Sequence, residues 1–194
     1  VTPIVLASAS ATRARLLSAA GVSFTTCVSD VDEDAEKACA AMAPAAMATR
    51  LAKRKALAVS AQAGGFIIGA DQTLDLDGER LDKTASLSET RIMLGRLRGR
   101  TFQLHAAVAL AKSGDLLWEH AQSVRLSMRS FSDTFLEAYL AGNAQRLGSS
   151  LGGFELEGEG AQLFDEIEGD YFSVLGLPLL PLLGALRRAG ALAA

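Results

Sequence analysis

Phe66-Ile67-Ile68-Gly69-Ala70-Asp71-Gln72-Thr73, continued by Leu74-Asp75-Leu76-Asp77-Gly78 and then Lys83, decides how this chain is read. Phe66 to Ala70 is a short apolar run of the kind that makes a fully buried strand. It stops at a carboxylate. A buried strand delivers its last residue to one fixed place, and open α/β sheets bind ligands at the carboxyl ends of their strands. Acids that can hold a divalent metal, with a lysine that can hold a phosphate, are parts of phosphoryl-transfer chemistry. The same residues have plainer uses. Asp71 could be a turn or cap residue. Asp77-Gly78 is a strong hairpin signal, and Asp75 and Asp77 read as turn residues before they read as ligands.

Working outward, Ile4 to Ala7 reads as a first buried strand and Ala11 to Ala20 as a helix closed by Gly21. Phe24 to Val28 reads as a second strand. The acidic run Asp30-Val31-Asp32-Glu33-Asp34 leads toward helix formers. Met42 to Ala61 reads as a long helix with Pro44 in its first turn, where proline is tolerated. On that helix Leu51, Lys55 and Val59 are four apart, so Lys55 shares a face with apolar residues. It either snorkels to water or aims a cation into a cleft.

Ser86-Leu87-Ser88-Glu89 has the form of a capping box opening a helix to about Leu97. Thr101 to Ala111 reads as a core strand, Lys112 to Asp115 as a turn, and Val124, Leu126 and Met128 as the dry face of a further strand. A helix follows from Phe131-Ser132 to Leu140, with Phe131 and Leu136 spaced for a hydrophobic staple. A glycine-rich stretch from Gly148 to Gly160, an entry from Gln162 to Ile167 and a loop from Gly169 to Leu177 precede a last helix from Pro178 to Ala189, stopped by Gly190. Helices mixed with strands and at least one hairpin predict a mixed sheet.

The 194 residues are 49% hydrophobic and 21% charged, enough for one large domain or two small lobes. A net charge of −3 argues against a general nucleic-acid or membrane-surface binder, which needs a basic excess. Two cysteines, Cys27 and Cys39, make neither a disulfide framework nor a zinc site. His105 and His120 fall in separate strands without ligand spacing and read as structural or surface residues. The residues show no leader pattern and no membrane-length apolar run, so the expectation is a soluble, cytoplasmic protein.

Ser8-Ala9-Ser10-Ala11-Thr12-Arg13 is the second constellation. A strand ends, two hydroxyls follow, and a helix opens with an arginine in its first turn. Free N–H groups and the positive helix end favour an anion there, and Arg13 adds donors suited to phosphate. Ordinary capping by Ser8 or Ser10 explains the hydroxyls equally well.

Taken together these segments resemble the Maf family of nucleotide pyrophosphatases, over nearly the whole chain and in order. The family's opening Leu-Ala-Ser-x-Ser-Pro-x-Arg is matched by Leu6 to Arg13, followed by Leu16-Leu17. Its acidic turn is matched by Val31-Asp32-Glu33, and its Leu-Ala-x-x-Lys-Ala by Leu51 to Ala56, which puts Lys55 in the family position. Gly-Ala-Asp-Thr is matched by Gly69 to Gln72, Gly-Lys-Pro by Asp82-Lys83-Thr84, and the closing Ile-x-Gly-Asp-Tyr-x-x-Val-x-Gly-Leu-Pro by Ile167 to Pro178 without a break. The His that ends the family's Leu-x-Gly-x-x-His is Phe102 here. Ala11 and Thr84 replace prolines.

The resemblance implies an α/β fold of the Maf and inosine-triphosphatase type, a mixed twisted sheet with helices in two lobes around a central cleft, residues 1–194 forming one domain without a separable linker. It implies hydrolysis of a nucleoside triphosphate to the monophosphate and pyrophosphate, a divalent metal (Mg2+ or Mn2+), and a homodimer. Asp71 would accept the proton of the attacking water, with Lys55 and Lys83 catalytic beside it. Glu33 and Asp71 would hold the metal, and Ser8, Ser10 and Arg13 the phosphates. Thr12, Gln72 and Glu157 stand at the family's specificity positions. All three differ from the dTTP and UTP branch. Gln72 and Glu157 agree with the 7-methyl-GTP branch, but Thr12 cannot stack on a base. A buried glutamate would accept hydrogen bonds from a purine N–H or favour a base bearing positive charge, so the expectation is a third, broader specificity with a purine lean. The alternatives are the 7-methyl-GTP branch itself, or a nucleotide-binding regulator of cell division with incidental catalysis.

Overall fold

A computed structural model describes residues 2–39, 42–147 and 150–193. Its backbone is one seven-stranded mixed sheet in the order β2-β1-β3-β5-β6-β7, with β4 paired to β3. The strands are β1 (Ile4–Leu6), β2 (Thr25–Thr26), β3 (Phe66–Leu76), β4 (Glu79–Leu81), β5 (Thr101–Lys112), β6 (Asp115–Met128) and β7 (Phe164–Glu168). The helices are α1 (Ala11–Ala19), α2 (Glu33–Cys39), α3 (Pro44–Ser60), α4 (Leu87–Leu97), α5 (Asp133–Leu147), α6 (Tyr171–Val174) and α7 (Leu179–Arg188). Among the described residues only β1 pairs in parallel, with β2 and β3; every other pairing is antiparallel. Among the described residues no helix is long and apolar enough to cross a membrane.

β3 differs from its expected extent, and the difference positions the site. It does not stop at Ala70 but runs to Leu76, so Asp71 lies mid-strand. What stops is its neighbour. β1 pairs with Phe66 to Ile68 only, and β4 takes up the same edge at Leu74. Between them β3 has a free edge, centred on Asp71, where a parallel partner hands over to an antiparallel one. The other edge continues unbroken against β5, with Asp71 opposite Ala107. The apolar run misled because pairing to β5 carries the strand on through polar residues. Period 2 explains them: Gly69, Asp71, Thr73 and Asp75 point to the α3 face, and Ala70, Gln72, Leu74 and Leu76 to the other.

On the α3 face the contact is close-set. Ala48, Ala52 and Ala56 of α3 meet Ala107, Ala109 and Ala111 of β5. A Cβ on Gly69 would come within 2.2 Å of the Ala52 carbonyl oxygen and 2.5 Å of the Ala56 nitrogen. Helix backbone cannot yield locally, so the helix must lift. Gly69→Ala is therefore expected to cost about 3 kcal/mol, the upper end for overpacking, and to separate Lys55 from Asp71. A denaturant titration checks the first and activity the second.

The opposite face carries two apolar clusters. Leu6, Leu17, Ile68, Leu110 and Leu182 gather under α1 and α7, and Leu74, Leu94, Phe102, Leu104 and Leu126 under α4 and α5. Between them Gln72 of β3 and Gln122 of β6 flank Ala106 of β5 in one cross-strand row.

The turns form as their residues dictate. Asp77 and Gly78 have φ of 56° and 88° and make the two-residue β3–β4 turn. Asp75 accepts the Gly78 N–H at 2.6 Å. Ser86 caps α4 through the Glu89 N–H, while the Glu89 carboxylate takes the N–H of Ala85. Besides β3, three expected extents change. β2 shrinks from Phe24–Val28 to two residues, α5 runs on to Leu147, and the Gly169–Leu177 loop contains α6, capped by Asp170 through the Ser173 N–H. Cys27 is an exposed free thiol; the Cys39 side chain, and residues 148 and 149 of the glycine-rich stretch, lie outside the described residues. His105 is buried between Ser123 and Asp75, and His120 stacks on Trp118.

Candidate active site

Asp71 and Lys55 meet beneath the free edge of β3. The Lys55 ammonium donates to Asp71 Oδ1 at 2.6 Å, and each residue is only 6% exposed. Lys55 gets there because Leu51 and Val59, one turn either side, are buried on the same helix face. It does not snorkel to water. A buried ammonium needs a compensating charge, and this one has two, for Glu33 Oε1 stands 2.7 Å from it. No described group donates to Asp71 Oδ2.

Glu33 is the first residue of α2, and its side chain is 41% exposed. Partial burial pushes its pKa up, but the hydrogen bond and charge of Lys55, with Lys37 and Arg13 further off, bring it net below the usual 4.5. A lowered carboxylate stabilises the fold above its unfolded pKa, and that contribution is lost as pH falls through the folded value. The site therefore loosens on acidification from about pH 4.5 downward.

The phosphate candidates lie where β1 ends. Ser10 caps α1 by accepting the Arg13 N–H, and Ser8 Oγ accepts the Ser10 N–H. Arg13 is buried, and it is bound to protein more than expected. Its Nη1 donates to Ala70 O at 2.9 Å and Ser8 Oγ at 3.1 Å, and its Nε to Gly176 O at 2.8 Å. It thus covers the β3 edge that β1 leaves open, with Nη2 remaining for a ligand. Burial lowers its pKa, while Asp71 and Glu33 pull it back up. Lys83, two residues past β4, is exposed but close enough to feel the same charges. Desolvation by the neighbouring groups lowers its pKa first and the charges of Arg13 and Lys55 add to this, while Glu33 and Asp71 oppose.

Of the specificity candidates, Gln72 faces away from Asp71. Its Nε2 donates to Ser173 O at 2.9 Å and Val174 O at 3.0 Å, so both amide hydrogens hold α6. Glu157 is not buried as expected. It stands exposed between two short 3-10 turns and forms an ion pair with Arg15, one turn past half-buried Thr12 on α1. Arg15 had no signal in the sequence, because its partner is 142 residues away.

Among the described residues no group of three or more His, Cys, Asp or Glu side chains stands ready as a metal cage. Glu33 and Asp71 nevertheless converge on one ammonium. Two carboxylates, with water and substrate phosphates completing the shell, are what Mg2+ takes in phosphoryl-transfer sites. The donor set fits a hard, oxygen-loving ion. A hollow of about 550 Å³ lies on the other side of α2 and α3, lined by Asp30, Asp32, Glu36, Arg50 and Arg54, and shares none of the candidate residues.

Comparisons with known proteins bear on the family of the chain. The family model described as "Maf-like protein" matches residues 3–189. A Caulobacter vibrioides protein named nucleoside triphosphate pyrophosphatase is 49% identical over 99% of this chain and 98% of its own. A Maricaulis maris protein of the same name is 44% identical over 99% of both chains. Among solved structures, a HAM1 protein from Coxiella burnetii covers 66% of this chain and 73% of its own at 16% identity, with a TM-score of 0.43; a likeness of that size carries no argument about this chain.

Proposed function

The chain belongs to the Maf-like protein family, and from that premise we propose that it is a nucleoside triphosphate pyrophosphatase, cleaving its substrate to the monophosphate and pyrophosphate. The observation that carries this is the Glu33–Lys55–Asp71 cluster at the free edge of β3, with Arg13, Ser8 and Lys83 around it.

Each group has a task its geometry supports. Lys55 holds Asp71 by Oδ1, leaving Oδ2 to take the proton of the attacking water. Arg13 Nη2, Ser8 and Ser10 bind phosphate oxygens at the α1 N-terminus, where the helix end favours negative charge. Lys55 and Lys83 offset the charge that builds on the transferred phosphoryl group; one such donor is worth roughly 3–4 kcal/mol of barrier. Glu33 and Asp71 would hold Mg2+ or Mn2+, which when bound neutralises phosphate charge and makes the water a better nucleophile.

Substrate choice falls to the rim. Gln72 spends its donors on α6, and Thr12 offers no stacking surface. That leaves Glu157, ion-paired with Arg15, as the acceptor for a purine N–H. The expected result is a broad enzyme: kcat/KM for GTP, ATP, UTP, dTTP and 7-methyl-GTP spans less than about 100-fold, with purines ahead, one charged hydrogen bond being worth roughly 2 kcal/mol. Glu157→Ala should level purines and pyrimidines without lowering kcat for UTP. Pyrophosphate release across that panel tests the reading; single phosphate as the product would refute it. A homodimer in the cytoplasm belongs to the same proposal and rests on the family alone.

A further inference from the structure

The short helix α2 carries Glu33 to the site, and its seven residues cannot hold themselves. What holds them lies one turn further on. Glu36 Oε2 accepts from Arg50 Nε at 2.6 Å, and Glu36 Oε1 faces Arg54 Nε at 2.9 Å. Arg50 and Arg54 are one turn apart on α3, the helix that also carries Lys55. Both oxygens of one carboxylate are therefore clasped by two guanidinium groups on the outer side of α3. Its side chain is only 13% exposed, against 43% and 59% for the arginines. Those two contacts depress the Glu36 pKa, with the Arg50 hydrogen bond the largest cause. Glu33 and Glu36 are three apart in α2, so a clasp at one fixes the reach of the other. Lys37 adds a second tie, 3.8 Å from Glu33 and 3.4 Å from Asp82, next to Lys83.

We infer that Glu36 is a positioning residue: clasped by Arg50 and Arg54, it sets α2 so that the Glu33 carboxylate joins Asp71 in one two-carboxylate site. This rests on the metal-dependent reading above. Glu36 touches neither substrate nor reacting atoms and acts only through Glu33. A purely structural role would lower stability and the amount of folded protein, and would leave the affinity of the folded fraction unchanged.

The test is Mn2+ binding, followed by electron paramagnetic resonance of the free ion, to the full chain with a non-hydrolysable α,β-methylene nucleotide. Glu33→Gln should weaken binding. Glu36→Gln should weaken it about tenfold, the low end of what outer supporting groups cost. In the Glu33→Gln background, Glu36→Gln should then add nothing, because the group it positions is gone. Arg54→Gln removes only the more exposed half of the clasp and should weaken binding by a smaller factor, which keeps the test available if Glu36→Gln folds poorly. Unchanged affinity in Glu36→Gln and Arg54→Gln, or an equal loss with and without Glu33, overturns the positioning role alone. Unchanged affinity in Glu33→Gln overturns the metal reading, and this inference with it.

Discussion

Asp71→Asn is expected to lower kcat for pyrophosphate release about 10³-fold, within the range that general-base removal costs, while KM for the nucleotide moves only a few-fold. The separation follows from geometry. An amide has the shape of the carboxylate, and its oxygen can still accept from Lys55 at the position Oδ1 holds. Ser8, Ser10 and Arg13, proposed to bind the phosphates, are tied to one another by hydrogen bonds that do not pass through Asp71. What the variant lacks is a basic oxygen at Oδ2 and one of two negative charges for the ion. Steady-state rates at saturating Mg2+ check this. A variant that kept a tenth of the activity would remove Asp71 from the proton transfer.

Lys55→Met is expected to damage the fold as well as the chemistry. It leaves the buried Asp71 facing Glu33 with no cation between them. Breaking a buried pair by removing one partner costs roughly 3–5 kcal/mol, and the value here should sit near 3 because Glu33 opens to solvent. Activity should fall at least about 10²-fold, the loss of one charge-stabilising donor. Added Mg2+ should return part of the stability, since an ion that binds the folded state alone stabilises it by mass action, and in this variant the two carboxylates lack their ammonium. Denaturant midpoints with and without Mg2+ measure it. A midpoint blind to Mg2+ in the variant would mean that Glu33 and Asp71 do not form a cation site.

Local signals made much of this architecture legible in the sequence. The 3.6-residue spacing of Leu51, Lys55 and Val59 marked the buried face of α3 and the lysine on it. Asp77-Gly78 and Ser86 to Glu89 specified a turn and a cap by chemistry confined to a few neighbours. The family motifs then assembled Ser8, Arg13, Glu33, Lys55, Asp71 and Lys83 into one set, which hydrophobic spacing alone could not do.

Pairing at a distance was not legible. Nothing near Phe66-Ala70 says that β1 is three residues long while β5 is twelve, so the free edge could be taken for a strand end. Arg13 reaches a carbonyl 163 residues on, and Gln72 one 101 residues on. Such contacts leave no periodic trace, so a guanidinium covering backbone looked like a wholly free phosphate ligand. Gln72 likewise looked like a base reader. Glu36, two residues past the acidic run, carried no signal, because the Arg50 and Arg54 that clasp it lie a helix away.

Product analysis tests the central claim most directly. Purified protein, GTP and Mg2+ are followed by phosphorus NMR until the triphosphate signals vanish. GMP and pyrophosphate in equal amounts, with no diphosphate nucleotide at any time, is the predicted result. GDP with orthophosphate, or no turnover of any nucleotide in the panel, would contradict it.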